Sequence, residues 1–304
     1  MAASVQPRAH VPAHVPAHVR AHVRFWGTRG TCPSPGPHTV RYGGNTSCVE
    51  VRDVDGTLVI LDAGTGIRAL GAHLEATQHD APIHLFLTHR HSDHVSGLAH
   101  FAPLYRHRQR IRLCGGDGES DPLAAFTERL LSPPLCPAIP GLHTRLEIAE
   151  WGPDTEHRAG GMSVHRFTAR HPGAAAIFRL DDATGPLVAY APDNELSYGD
   201  GTEAVRAWRR ALGDFLADVP VLVHDATYRD DELPRHRGWG HSSHVEATSL
   251  ALECGARTLV LFHHHPDRDD DGVERMLDEC RTLVSREGAS LQVLAAWEGL
   301  TLSV

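Results

Sequence analysis

The chain has 304 residues, 41% of them hydrophobic, a formal charge of −9 and no lysine, so every fixed side-chain cation is an arginine. That length and apolar content suffice for one large domain with a full core, while the missing lysine excludes Schiff-base chemistry and a P-loop. The acidic balance argues against extended nucleic acid as the main partner, because a polyanion is held by a basic face; one small anion is still within reach of a few arginines or a metal pair.

Residues 1–22 contain the repeat "AHVPAHVPAHVRAHV", with His10, His14, His18 and His22 four apart. Pro12 and Pro16 remove backbone donors and preclude a helix, so this stretch is expected to be a disordered low-complexity tail, with accessory metal binding as the alternative. Residues 23–304 are expected to form one domain. "VRFWG" reads as a strand, followed by a Gly/Pro-rich loop, Thr28 to Ser47, long enough to be functional. "CVEVRDVDGTLVILDAG" carries two strand patterns around the Asp55-Gly56 turn signal, and a short helix is expected over Ile67 to Thr77. The strand "IHLFLT" ends at the segment "HRHSDH". Beyond it come a strand (IRLCGG), a helix (DPLAAFTERLL) and three strands (MSVHRFTA, AAAIFRLDD, PLVAYAPD). Next stand an amphipathic helix between Asp200 and Asp218 and the strand "VPVLVHDA". A helix with Ser243 and Glu246 in capping-box spacing follows, then the buried strand "RTLVLFHHH", a helix from "DDGVERML", and a terminal strand "LQVLAAWEGLTLSV". Two sheets sandwiched between helices fit this α/β order. The six cysteines are scattered without a C-x-x-C pair, so reduced and mostly buried thiols are expected. No apolar run reaches the roughly 18 residues of a membrane span, and no signal-peptide core opens the chain, which points to a cytoplasmic protein.

The chemistry concentrates in "HRHSDH". His89 and His91, two apart at a strand end, share one face and can grip one ion together. Asp93 and His94 on the following turn are offset towards a second ion. Four ligands cannot complete two coordination spheres, so further donors are required at other strand ends; His171, Asp193 and His263 are placed there. The acidic run "DRDDDGVE" fails the EF-hand spacing and suits a helix N-terminus instead.

With this H-x-H-x-D-H pattern, the chain resembles the metallo-β-lactamase superfamily. The resemblance implies a four-layered αββα sandwich and two divalent metal ions, usually Zn²⁺ and in some members Mn²⁺ or Fe²⁺. It implies that His89, His91 and His171 hold the first ion and Asp93, His94 and His263 the second. Asp193 and a water or hydroxide would bridge them, and Asp62 in "LDAGTG" would orient the ligands. "VLVHDATYRDDE" and "GWGHSSHVEAT" resemble late motifs of the RNase Z and cyclic-phosphodiesterase branch. Carried over, Asp225 orients His241, and His241 protonates the leaving alkoxide. RNase Z carries a tRNA-binding arm between the third histidine and the bridging aspartate, whereas Asp193 here lies only 22 positions after His171, so tRNA 3′-processing ranks low. The opening "FWGTRGTCPSPG…RYGGNTSC" is similar to bacterial proteins of the small-molecule or cyclic phosphodiesterase type. Arg29, Tyr42 and Asn45 on that loop are therefore expected to contact phosphate or base. His264, His265 and His224 are assigned supporting or solvated positions. The expectation is a binuclear metal-dependent hydrolase cleaving a small or cyclic phosphodiester, and a homodimer would be ordinary for this branch. Alternatives are lactone, β-lactam or thioester hydrolysis on the same ligands, or a non-catalytic sensor.

Overall fold

The computed structural model describes residues 18–304 except 107, 116–120, 138, 140, 143–144, 152–156 and 198–200. His10 and His14 of the repeat lie outside the described residues. The domain starts earlier than the sequence pattern indicated: strand β1 spans Ala21–Gly27, and His22 pairs with Ser303 inside it. Ala21, Val23 and Phe25 are buried while His22 is exposed, the alternation of a two-faced strand.

Alternating side chains of the central strands enter two different apolar layers. In β2 (Cys48–Asp53) and β3 (Leu58–Leu61), Val49, Val51, Val59 and Leu61 face one layer while Cys48, Leu58 and Ile60 face another. In β11 (Val221–Asp225) and β12 (Thr258–Phe262), Val221, Val223, Val260 and Phe262 point into the layer shared with the first sheet, and Leu222, Leu259 and Leu261 point away from it. Each strand is thus buried on both faces, the condition for near-continuous Val/Ile/Leu runs.

The first sheet runs β14-β1-β2-β3-β4-β5-β6, with β4 at Ile83–Phe86, β5 at Ile111–Gly115, β6 at Leu146–Glu150 and β14 at Thr301–Ser303. The second runs β13-β12-β11-β10-β9-β8-β7, with β7 at His157–Ala159, β8 at Met162–Thr168, β9 at Ala176–Asp182, β10 at Gly185–Ala191 and β13 at Gln292–Ala295. From β14 inward and from β7 inward, each sheet shows three antiparallel pairings followed by three parallel ones. Helix α1 (Ile67–Ala76) covers the outer face of the first sheet through Ile67, Leu70 and Leu74. Helices α4 (Glu203–Phe215), α5 (His244–Glu253) and α6 (Asp270–Arg286) cover the second sheet through Leu212, Leu250 and Leu277 among others. The architecture is the expected αββα sandwich. Among the described residues, two short helices, α2 (Ser92–Val95) and α3 (Leu123–Leu130), complete the set of α-helices.

Two strand expectations change. The C-terminal stretch is two strands in different sheets, because Gly299 at φ +95° and the Leu300 to Trp297 hydrogen bond turn the chain from β13 across to β14. Strands β6 and β7 had no clear sequence signal; both are edge strands whose pairing is dictated by their neighbours. The six cysteines are free, with only Cys32 exposed. Among the described residues no helix is long and apolar enough to cross a membrane.

Candidate metal centre

The parallel strands carry the chemistry at their carboxyl ends, where open α/β sheets gather their sites. β3 and β4 finish level, with Leu61 opposite Phe86, and lead to Asp62 and to the His89–His94 segment. In the facing sheet Asp225 pairs with Phe262, so β11 and β12 deliver Asp225 and His263 side by side, and β10 leads to Asp193. His171 arrives from the end of β8. Asp62 and His263, each the first residue past its strand, both hold left-handed backbone (φ +63° and +60°). Such conformations in non-glycine residues persist where the surroundings enforce them, and they cluster at functional sites.

The seven residues named as metal ligands converge. His89 Nε2 and His171 Nε2 lie 2.9 and 3.0 Å from His91 Nδ1, and the three rings form one potential ligand triad. Asp93, His94 and His263 form another, with Asp93 Oδ2 3.3 Å from His94 Nε2 and 3.1 Å from His263 Nε2. Asp193 stands between them: Oδ2 is 2.9 Å from His94 Nε2, and Oδ1 is 3.3 Å from His263 Nε2 and 3.7 Å from His171 Nε2. The donor set suits divalent cations. His94 Nε2 and Asp193 Oδ2 are buried without a hydrogen-bond partner despite their proximity, orphaned polar atoms of the kind a shared cation would satisfy.

The electrostatics agree. Burial keeps His89 and His171 neutral, below the ordinary histidine range, which leaves a lone pair free for a metal. Burial opposes ionisation of Asp93 and Asp193, yet the surrounding histidines hold both well below the usual carboxylate range. Burial likewise opposes a charge on His94, but Asp193, Asp93 and Asp62 outweigh it and raise its pKa. Positive charge is wanted at that point.

The supporting layer was only partly legible. Asp62 accepts from Thr88 N and Oγ1, from Tyr190 Oη at 2.9 Å, and lies 2.7 Å from His94 Nδ1. Thr227 Oγ1 donates to Asp225 Oδ1, and it stands 3.0 Å from His263 Nδ1. The Gly240 carbonyl meets His171 Nδ1 at 2.9 Å. Partners of this kind fix ring orientation at metal sites. Thr88, Tyr190, Thr227 and Gly240 were missed because none is a ligand type; for Thr227 the spacing two beyond Asp225 was a usable turn signal.

His241 Nδ1 sits 2.8 Å from Asp225 Oδ2, and the His241 ring lies 5.0 Å from His263 and 5.1 Å from His171. Burial disfavours its charge, but the Asp225 carboxylate overcomes this and pushes it up to about 9. Nearby cations would lower that value.

The three expected substrate contacts are corrected. Arg29 is fully buried, with its guanidinium on the carbonyls of Gly43, His265 and Arg268. Tyr42 is buried and donates to Glu274 at 2.6 Å. Asn45 gives both its backbone N–H and its side-chain amide to Glu298. These residues brace the first loop against α6 and the β13–β14 turn; the loop meets the metal centre through Thr31 N–H, which donates to Asp93 Oδ2. His264 Nε2 turns to the Ala296 carbonyl, and His224 lies between Asn194 and the Asp225 carbonyl.

An αββα sandwich with clustered His and Asp at the strand ends defines a metal-dependent hydrolase of the metallo-β-lactamase fold. Residues 57–264 match the family described as Beta-lactamase superfamily domain, and the chain belongs to that family. It is 28% identical over 263 residues to a ribonuclease Z of Methanopyrus kandleri, covering 79% of this chain and 89% of the relative. It is 25% identical over 293 residues to the ribonuclease Z of Thermoplasma acidophilum, covering 84% and 90%. Among solved structures, the metallo-β-lactamase fold protein YhfI from Bacillus subtilis superposes with a TM-score of 0.70 at 20% identity, covering 94% of this chain and 100% of that one. Unliganded yeast PDE1 gives 0.69 at 15%, with the same coverage. The family match and the ribonuclease Z relatives support a hydrolase of the RNase Z and phosphodiesterase branch.

Proposed function

We propose that this hydrolase is a phosphodiesterase that cleaves a small or cyclic phosphodiester, with His241 as the acid for the leaving oxygen. The observation that carries this reading is the Asp225–His241 pair, buried beside both ligand triads and joined at 2.8 Å. A phosphodiester expels a poor alkoxide leaving group and gains from a positioned proton donor far more than an activated ester does.

His89, His91 and His171 would hold one divalent cation and Asp93, His94 and His263 a second, with Asp193 shared. Such a pair supplies charge neutralisation at the phosphoryl oxygens and makes water acidic enough to serve as the nucleophile near neutral pH. Zn²⁺ matches the nitrogen and oxygen donors, as do Mn²⁺ and Fe²⁺. Asp62, Thr227 and the Gly240 carbonyl fix the tautomers of His94, His263 and His171. Asp225 holds His241 by Nδ1, which leaves Nε2 to face the substrate.

The ribonuclease Z names of the relatives support a second reading, cleavage of an RNA phosphodiester by the same groups. Against it, β9 and β10 join through a two-residue turn, Ala183-Thr184, which leaves no arm between His171 and Asp193. The acidic charge also disfavours a long polyanion.

The test is hydrolysis by the metal-loaded enzyme of bis(p-nitrophenyl) phosphate, of 2′,3′- and 3′,5′-cyclic nucleotides and of a tRNA precursor, with His91→Ala as the blank. His241→Ala is expected to lower kcat on cyclic nucleotides about 10²- to 10⁴-fold, and less on the p-nitrophenyl ester, whose leaving group needs no proton. Equal losses on both would remove the acid role. Turnover of the precursor tRNA alone would move the reading to RNA processing.

A further inference from the structure

Between β11 and α5 the chain reaches outward and returns through Arg235-His236-Arg237-Gly238-Trp239-Gly240. This tip is fixed at several points. The buried Glu195 carboxylate accepts the N–H groups of Gly238 (2.8 and 3.0 Å) and Gly240 (2.9 Å). The Gly240 carbonyl meets His171, and a Cβ on Gly240 would fall 2.2 Å from His171 Nδ1. Gly238 and Gly240 hold φ of +86° and +87°, which side chains of L residues resist. The backbone around Trp239 is therefore locked against a proposed metal ligand.

The indole nevertheless points to solvent, at 61% exposure. A fixed backbone carrying an exposed aromatic side chain is an arrangement for a flat partner. It also has a direction. From His241 a run of rings leads outward: Tyr228 at 6.0 Å, His236 stacked on Tyr228 at 4.2 Å and 9°, then Trp239 edge-on to His236 at 5.1 Å. Arg235 and Arg237 on the same tip are exposed and form no ion pair among the described residues, which leaves two cations beside the aromatic surface.

We infer that Trp239, backed by His236 and Tyr228, is a stacking platform for the nucleobase of a nucleotide phosphodiester whose phosphorus lies at the metal centre, with Arg235 and Arg237 attracting its negative charge. The inference rests on the phosphodiesterase reading and makes it more specific. Base stacking on an aromatic side chain is tolerant of base identity, so the platform selects nucleotides over base-free diesters without choosing strongly among bases.

The experiment compares wild type, Trp239→Ala and Trp239→Phe in the metal-loaded protein on 2′,3′-cyclic AMP and on base-free ribose 2′,3′-cyclic phosphate. A parallel arm titrates AMP against tryptophan fluorescence. Of the five tryptophans Trp239 alone is exposed, so stacking should quench emission in wild type and not in Trp239→Phe. The expected result is that Trp239→Ala reduces the preference in kcat/KM for the nucleotide over the base-free ester by about tenfold, mainly through KM, while Trp239→Phe keeps most of it. An unchanged preference in Trp239→Ala would overturn the platform even if both diesters are cleaved. Cleavage of neither diester by wild type would instead sink the phosphodiesterase reading. The AMP titration then decides the platform alone: quenching lost in Trp239→Phe supports it, and its absence in wild type overturns it.

Discussion

Asp62 shows how much one buried carboxylate can carry. It is fully buried, occupies a left-handed backbone position, and gathers Thr88, Tyr190 and His94 at one point. The Tyr190 hydroxyl comes from the opposite sheet, so the same residue ties the two sheets together beneath the ligands. Replacing Asp62 with Ala would leave the Tyr190 hydroxyl unsatisfied and free the His94 ring to rotate. We expect Asp62→Ala to weaken metal affinity about 10- to 100-fold, read by competition against a chelating dye. Unaltered affinity would mean that packing alone fixes His94. The residue was recognisable in the sequence only through the family pattern; its hydrogen-bond partners were not, since Tyr190 lies 128 positions away.

At the scale of elements, α5 illustrates a fully local signal. Ser243 Oγ accepts from Glu246 N, and the Glu246 carboxylate accepts from Ser243 N, as the spacing predicted. Ser243→Ala should cost about 1 kcal/mol, seen as a lower urea midpoint with an unchanged slope. A larger loss accompanied by lower activity would show that the cap also sets the position of His241, two residues before it. Strand β7 makes the opposite point. His157 is buried there against Trp151 (4.2 Å) and Phe86 (6.0 Å), and neither ring nitrogen has a hydrogen-bond partner among the described residues. Burial, with help from Arg112, lowers its pKa below the ordinary value. The folded state therefore binds this proton less readily than the unfolded chain. The neutral form is compatible with the fold above about pH 6.5, and stability is lost as pH falls below that value. His157→Phe should flatten the fall in Tm between about pH 7 and pH 5 relative to wild type. Parallel Tm profiles for the two proteins would show that His157 does not contribute.

At the scale of the molecule, the two sheets are complementary halves of one site. The first supplies the His89–His94 segment and Asp62; the second supplies His171, Asp193, Asp225 and His263. Bound cations would cross-link the halves and bind only the folded state. Chelation should therefore lower Tm reversibly, with about 2.7 kcal/mol of stabilisation recovered at free metal 100-fold above Kd. A Tm indifferent to EDTA would mean the sandwich holds the cluster together unaided. The element order apart from β6 and β7, the capping box, the Asp55-Gly56 hairpin and the candidate metal ligands were legible in the sequence, because helix caps, turn chemistry and strand periodicity are local and ligand types are few. Tertiary structure decided the rest. It split the C-terminal stretch between two sheets and added β6 and β7 as edges. It also drew Arg29, Tyr42 and Asn45 into the bracing of a loop, and carried Trp239 outward on the aromatic tip beside the site. Each of these depends on which distant segment lies alongside, and a side chain's partner across a sandwich leaves no mark on its own neighbourhood in the chain.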